Sequence, residues 1–335
     1  MKIVAFGRTE ILSNIITELA KSENMIGAII TSDPTQTQYE FGIDHFRQLS
    51  EKLGSKFFTA SDLLGDDIIT SLKSIKPDIA ISLNWPTLVP KEFIDIFPEG
   101  IVNVHAGNLP RFRGNSVRNW ALINGEKSIS LTLHKMDAEL DTGPILQKKS
   151  YPINQATNIK ELYDFVSHES PKMVSKLFTE ISQKTVKPIP QSEDIAESLR
   201  CYPRLPIDSE IDWSKDAEDI QRLVSASSEP FPGAYTFLGN KKLIIWETKV
   251  IIPEFEYLAA PGQVTYRNSS SGTVSVATGK GFIEIIDAEL EGGFRMAPNK
   301  ILNTIRLRLG MSYSEEIREL RDDINFLKKK LGDLK

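Results

Sequence analysis

Within "NVHAGNLPRFRG", residues 103–114, an asparagine and a histidine stand two residues apart at the end of an apolar run, and a Gly/Pro/Arg-rich turn follows them. The carboxamide NH2 of Asn103 can donate hydrogen bonds, and the imidazole of His105 can donate one or take up a proton. Further along, "LDTG" at 140–143 supplies a carboxylate at Asp141. A carboxylate beside an imidazole favours its charged form and raises its pKa. Such a set suits proton transfer next to a centre where negative charge develops. The pair N-x-H alone is a weak signal; N-x-H, "LP-x-x-RG" and "LDTG" in one stretch are far more specific. Asp141 also suits a tight turn, and Asp137 in "KMDAEL" competes for its role. His134 and His168 lack this context and are read as structural or solvent-exposed. Arg111 and Arg113 either clamp a phosphate or hold the carbonyls of their own turn. Arg8, after the first strand, joins them as a substrate-binding candidate.

Placing these groups requires a strand that ends at His105. Over the first 180 residues, apolar runs such as "KIVAFG", "MIGAIIT", "PDIAISLNW" and "GIVNVHA" alternate with helical periods such as "ILSNIITELAKS", "FRQLSEKLG" and "DIITSLKSIK". Continuously apolar strands separated by amphipathic helices predict an α/β fold, a doubly wound, Rossmann-like and mainly parallel sheet. Ligands in such sheets lie beyond the carboxyl ends of the strands, where "NVH" falls. Period two puts Asn103 and His105 on one face. The three-glycine dinucleotide fingerprint and the G-x-x-x-x-G-K-[ST] phosphate loop are both missing from the first strand-turn, "AFGRTE".

A catalytic domain is expected over 1–185. A linker is expected over 186–205, where "KPIPQSED" and "RCYPRLPIDSEIDW" are proline-rich. Short strands parted by Gly, Asn and Ser over 206–300 predict a small β-rich, barrel-like domain. An amphipathic helix is expected over 312–335. There Ile317, Leu320, Ile324, Leu327, Leu331 and Leu334 follow one another at spacings of 3, 4, 3, 4 and 3. Ile at the first and Leu at the second apolar position of each heptad suits a parallel two-stranded coil, with Asp323 able to pair with Lys328 of a partner. An amphipathic helix packed on its own chain accounts for the same stripe.

The 335 residues carry a net charge of −5, which argues against a general polyanion-binding surface. One cysteine, Cys201, and four scattered histidines exclude an intramolecular disulfide and multi-cysteine metal ribbons, and no metal is expected. No apolar run reaches spanning length, and the opening "MKIVAFGRTE" is a strand and turn rather than a signal-peptide core, so a cytoplasmic protein without membrane attachment is expected.

The three-part signal resembles the folate-dependent formyltransferase family, whose members share an Asn/His/Asp site. "IDWSK", "AEDIQRLVSAS" and "PFPGAYTFLGNKKLIIWETKV", within 211–250, look like the carboxy-terminal domain of methionyl-tRNA formyltransferases and some amino-sugar formyltransferases. The resemblance implies formyl transfer from N10-formyltetrahydrofolate to an amine, with Asn103, His105 and Asp141 catalytic. It selects Asp141 over Asp137 because the family aspartate stands in the "DTG" context. It also implies a folate slot built from Leu88, Val89 and Pro90, with Asp137 and Leu140 on its other side.

The family's acceptors are charged initiator tRNA, a nucleotide-linked amino sugar and a purine-pathway ribonucleotide. "SDPTQTQYEFGID", residues 32–44, holds Asp33, Glu40 and Asp44 and no Lys or Arg, a surface that repels phosphates. The "NW" and "NGE" of "RGNSVRNWALINGE" look like the amino-sugar enzymes. The expected acceptor is therefore a nucleotide-linked amino-deoxy sugar, in surface-polysaccharide assembly and in a homodimer, with nucleic acid disfavoured. Methionyl-tRNA formyl transfer is the alternative, and a catalytically inactive folate-binding homologue is the reading from another class. A formyl-folate hydrolase would carry a regulatory module ahead of "KIVAFG", and none is expected. One departure from the family pattern is Ala106-Gly107-Asn108, in place of the usual "GSL" or "PSL" after the histidine.

Overall fold

A computed structural model describes residues 1–32, 42–252, 257–310 and 313–332. The chain divides into two compact units, one of Met1–Ala121, Glu126–Asn154 and Glu161–Pro203, the other of Leu122–Gly125, Gln155–Lys160 and Arg204–Lys335.

The first unit begins β1 (Lys2–Gly7), α1 (Glu10–Leu19), β2 (Met25–Ser32), α2 (Ile43–Leu53), β3 (Lys56–Ala60), α3 (Asp66–Ile75) and β4 (Ile79–Leu83). It continues through α4 (Lys91–Ile94), β5 (Ile101–His105), β6 (Arg113–Gly114), α5 (Val117–Ile123), β7 (Ser128–Lys135), β8 (Ile145–Pro152), α6 (Ile159–Ser182) and β9 (Arg200–Cys201). The main sheet has the order β3-β2-β1-β4-β5-β7-β8. It is parallel as far as β5, after which β7 and β8 are antiparallel.

The apolar runs are long because both faces of the sheet are covered. Ile3 and Ala5 of β1 enter one core cluster with Ile79, Ile81, Val102 and Val104. Val4 and Phe6 enter the opposite cluster with Ala80, Ile101 and Phe93. Alternation along each strand thus feeds two cores, each sealed by helices. In α1, Ile11, Leu12, Ile15, Ile16 and Leu19 recur at helical spacing, and all are buried. The period-two rule places Ile101, Asn103 and His105 of β5 on the same face, at the carboxyl edge of the sheet.

The stretch expected as a linker is instead structural as far as Pro203. Residues β9 and β6 pair in parallel, Arg113 with Arg200 and Gly114 with Cys201. Ile189 and Ile145 exchange both backbone hydrogen bonds at 2.8 Å. Proline keeps the backbone extended and removes only its own donor, so the residues between Pro188, Pro190 and Pro203 still pair along an edge. Proline-rich composition marks an extended chain, not a free one.

The second unit contains α7 (Ala217–Ser227), β10 (Ala234–Leu238), β11 (Lys241–Ile251), β12 (Val264–Arg267), β13 (Val274–Ala277), β14 (Phe282–Leu290), β15 (Arg295–Met296), α8 (Pro298–Ile301) and α9 (Tyr313–Gly332). A six-stranded antiparallel sheet runs β10-β11-β14-β13-β12, with β15 on β14. Its core gathers Trp213, Ile220, Val224, Leu243, Ile245, Val274, Ile283 and Ile285. The buried Trp213 indole is satisfied by Thr236 Oγ1 at 2.8 Å. Among the described residues no helix is long and apolar enough to cross a membrane.

Candidate active site

Strand β5 delivers Asn103 half-buried and His105 6% exposed. The turn after it brings the chain back on His105. Phe112 sits in the left-handed region at φ +63°, and its carbonyl lies 2.7 Å from His105 Nε2. A carbonyl only accepts, so Nε2 carries a proton and donates, and Nδ1 is the nitrogen turned towards Asp141. Gly107 lets this contact pass: a Cβ there would stand 2.3 Å from His105 Nε2 and 2.5 Å from the Phe112 oxygen. The departure at Ala106-Gly107-Asn108 therefore belongs to the way the loop packs on the imidazole.

Asp141, also left-handed at φ +54°, is the carboxylate that reaches the pair. Its Oδ2 lies 3.5 Å from His105 Nδ1, and Asn103 Nδ2 lies 3.4 Å from its Oδ1. The backbone N–H of Gly114 donates to Oδ2 at 2.8 Å. This bond ties the "RG" turn to "LDTG". Gly114 adopts φ +99°, and a Cβ on it would lie 2.4 Å from the Cys201 carbonyl. Gln191 fastens the same turn, its amide donating to the carbonyls of Asp141 at 2.8 Å and Gly143 at 2.7 Å. Arg113 in turn donates to Gln191 Oε1 at 2.9 Å. Gln191 had no signal of its own in a stretch that reads as linker.

His134, expected to be structural or exposed, belongs to this cluster. Antiparallel register sets it opposite Asn103, and it is 1% exposed. Its Nδ1–H donates to the Lys135 carbonyl at 2.8 Å, so Nε2 is the acceptor for Asn103 Nδ2 at 3.1 Å. The chain of bonds fixes which way the Asn103 amide points, because a flipped amide would aim its oxygen at two acceptors. Nε2 is also 3.5 Å from Asp141 Oδ1. The one sequence signal was a polar residue ending the apolar run "SISLTLH". His134→Leu should lower the unfolding free energy by ~1–3 kcal/mol, the usual penalty for orphaning a buried donor. His134→Gln, which keeps an acceptor, should recover part of it in urea titrations.

Burial and charge pull on the two titrating groups in opposite directions. Burial is the largest influence on His105 and holds its pKa below 6.5, against the upward pull of Asp141 and the Phe112 carbonyl. Asp141 alone does raise it, as expected from sequence, but desolvation outweighs that pull. Burial pushes Asp141 up, yet His105, His134 and the Gly114 N–H overcome it, and the carboxyl lies well below the ordinary carboxylate range. The site thus pairs a neutral imidazole with an ionised carboxylate at neutral pH.

Other candidates fall elsewhere. Asp137 accepts from Thr142 Oγ1 at 2.6 Å and from the Glu139 N–H at 3.2 Å, which makes it the residue that ties the turn. Leu140 lies over Gly114, its Cδ2 3.4 Å from where a Cβ would be. Leu88 is exposed, whereas Val89 is buried in the core cluster with Phe93, so Val89 can present only its backbone to a ligand. Pro90 precedes α4 as its cap residue. Arg111 pairs with Glu126 at 3.0 Å and Arg113 with Gln191, so both hold the turn. Arg8 follows β1, half-buried, at the same carboxyl edge. His168 is exposed on α6, as expected. Among the described residues, no three His, Cys, Asp or Glu side chains are grouped to hold a metal ion. Asp33 and Glu40, of the acidic segment, lie outside the described residues.

Comparison with known proteins follows the same division of the chain. Residues 1–177 match the family profile described as formyl transferase, and 206–306 match formyl transferase, C-terminal domain. The chain is 29% identical over 289 residues, 86% of its length, to the bifunctional polymyxin resistance protein ArnA of Wigglesworthia glossinidia brevipalpis, and spans 43% of that protein. An N-formyltransferase from Helicobacter canadensis, in complex with folinic acid and dTDP-3-aminofucose, superposes with a TM-score of 0.61 at 18% identity, covering 85% of this chain and 98% of that one. Methionyl-tRNA formyltransferase from Clostridium thermocellum superposes at 0.53 with 20% identity, over 75% of this chain and 94% of that one.

Proposed function

The chain belongs to the formyl transferase family, and from that premise we propose that it moves a formyl group from N10-formyltetrahydrofolate to the amine of a nucleotide-linked amino-deoxy sugar. The observation that carries the reading is the convergence of Asn103, His105 and Asp141 at the carboxyl edge of the sheet. When bound, the folate donor supplies the formyl carbon. Attack by a neutral amine creates an oxyanion and an ammonium together, so one group must donate and another must accept. Asn103 donates: its bond to Asp141 is long at 3.4 Å and free to turn to the oxyanion, while His134 holds the other N–H. A donor so aimed is worth ~2.7–4 kcal/mol, or ~100 to 1,000-fold in rate. His105, pinned through Nε2 to Phe112, takes the amine's proton at Nδ1, beside Asp141, which stabilises the imidazolium that results. As the oxyanion collapses, the bond between the formyl carbon and folate N10 breaks and the imidazolium gives that proton to the departing nitrogen. Leu88 and the backbone of Val89 and Pro90 would face the pterin.

The sugar acceptor is supported by the "NW" and "NGE" of residues 119–126, by the sugar nucleotide in the Helicobacter canadensis structure and by the acidic composition of 32–44. Surface-polysaccharide synthesis and a cytoplasmic location belong to the same reading, as does the homodimer that the heptads of α9 favour. Formyl transfer from N10-formyltetrahydrofolate, assayed against UDP- and dTDP-linked amino sugars and against methionyl-tRNA, tests it. Turnover on a sugar nucleotide and none on tRNA is the expected result. Turnover on tRNA alone keeps the chemistry and overturns the acceptor; folate binding without turnover on any amine overturns the enzyme.

A further inference from the structure

Helix α9 carries an apolar stripe that no described residue of its own chain covers. Ile317, Leu320, Ile324 and Leu327 are 50%, 54%, 49% and 57% exposed. Of the two readings that the sequence left open, packing on the same chain leaves these four residues in water. In heptad terms Ile317 and Ile324 are a positions and Leu320 and Leu327 are d positions. Burying such a seam is the strongest driving force open to a helix with this pattern.

The charges beside the seam say what covers it. Arg321 and Lys328 hold the e positions and Asp323 the g position between them, all three exposed. In a parallel pair, g of one strand faces the next e of the other, which sets Asp323 against Lys328 of a second copy twice by symmetry. In an antiparallel pair e faces e, which sets Arg321 and Lys328 against the same basic residues. Ile at a with Leu at d favours two strands over three or four. We propose that α9 forms a parallel, in-register, two-stranded coiled coil with the α9 of a second copy of this chain. The helix has 20 residues, under three full heptads, so the association is reversible and concentration-dependent.

Sedimentation of the full chain over a concentration series tests the proposal. The wild type should move from one to two chain masses. Leu327→Lys should remain monomeric, with an unchanged thermal unfolding transition for the rest of the protein. Asp323→Lys should weaken the dimer, Lys328→Asp likewise, and the double exchange should restore it, an outcome that a merely structural role for the helix would not produce. Register has its own readout, since the single native cysteine, Cys201, is buried. Ile317→Cys and Leu327→Cys, prepared separately, should each cross-link to its own copy under mild oxidation. An antiparallel pair can bring only one position onto its own copy, so a cross-link from one variant alone overturns the parallel register. A wild type that stays monomeric, or a dimer indifferent to Leu327→Lys, overturns the interface.

Discussion

Asp141→Asn is expected to reduce formyl turnover by at least ~100-fold while nucleotide-sugar binding stays close to normal, the loss typical of removing a group that acts on charge in the transition state. The substitution keeps the shape of the side chain and removes its charge. Asp141 accepts from the Gly114 N–H at 2.8 Å and faces both Asn103 and His105. An amide must set its NH2 against the Gly114 N–H or the Asn103 amide, and in either pose it brings no charge to hold the imidazolium. The pH profile separates this role from a structural one. In the proposed mechanism His105 works as a base in its neutral form, so kcat/KM should rise with pH through its pKa, with the acid limb held below 6.5 by burial. Asp141 pulls the His105 pKa upward. Taking the charge away must therefore move the acid limb to still lower pH even as turnover falls. A limb that stays in place would show that Asp141 does not act on His105. The depressed carboxyl pKa adds no second limb near neutrality.

Gly114→Ala is expected to cause the second large loss, in both stability and turnover. The new Cβ would stand 2.4 Å from the Cys201 carbonyl at a backbone φ of +99°. Both partners are backbone, so the β6–β9 pair must part and the Gly114 N–H must move off Asp141. Strain of this kind runs to ~1–3 kcal/mol. Loss of a hydrogen bond to a charged group adds ~1.5–3 kcal/mol, about tenfold in rate for each 1.4 kcal/mol felt at the transition state. Gly54→Ala is the matched control: φ is +65°, with nothing within 4 Å of the added Cβ. It should lower the melting temperature slightly and leave turnover intact. Equal effects from the two variants would reduce Gly114 to a turn residue.

The exposed seam of α9 shows the limit of reading a stripe from sequence. Spacings of 3 and 4 define an apolar face whether its own chain or another covers it, and only the exposure of Ile317, Leu320, Ile324 and Leu327 among the described residues argues against the first. The sign of the flanking charges was already written in the chain.

Local pattern alone determined a great deal. Continuous apolar runs specified strands covered on both faces, helical spacing specified α1 to α3, and period two put Asn103 and His105 on one face of β5. The resemblance to the family, not spacing, pointed to Asp141 over Asp137; in the structure Asp141 reaches Asn103 and His105 while Asp137 turns onto Thr142. What pattern cannot carry is the meeting of segments distant in the chain. The β5–β7 register that sets His134 against Asn103, the Gly114 N–H aimed at Asp141, and Gln191 bridging the same turn each depend on how whole strands and loops pack. Even the His105 pKa follows that rule: the neighbouring carboxylate was legible in the sequence, but the desolvation that outweighs it arises only once the ring is buried.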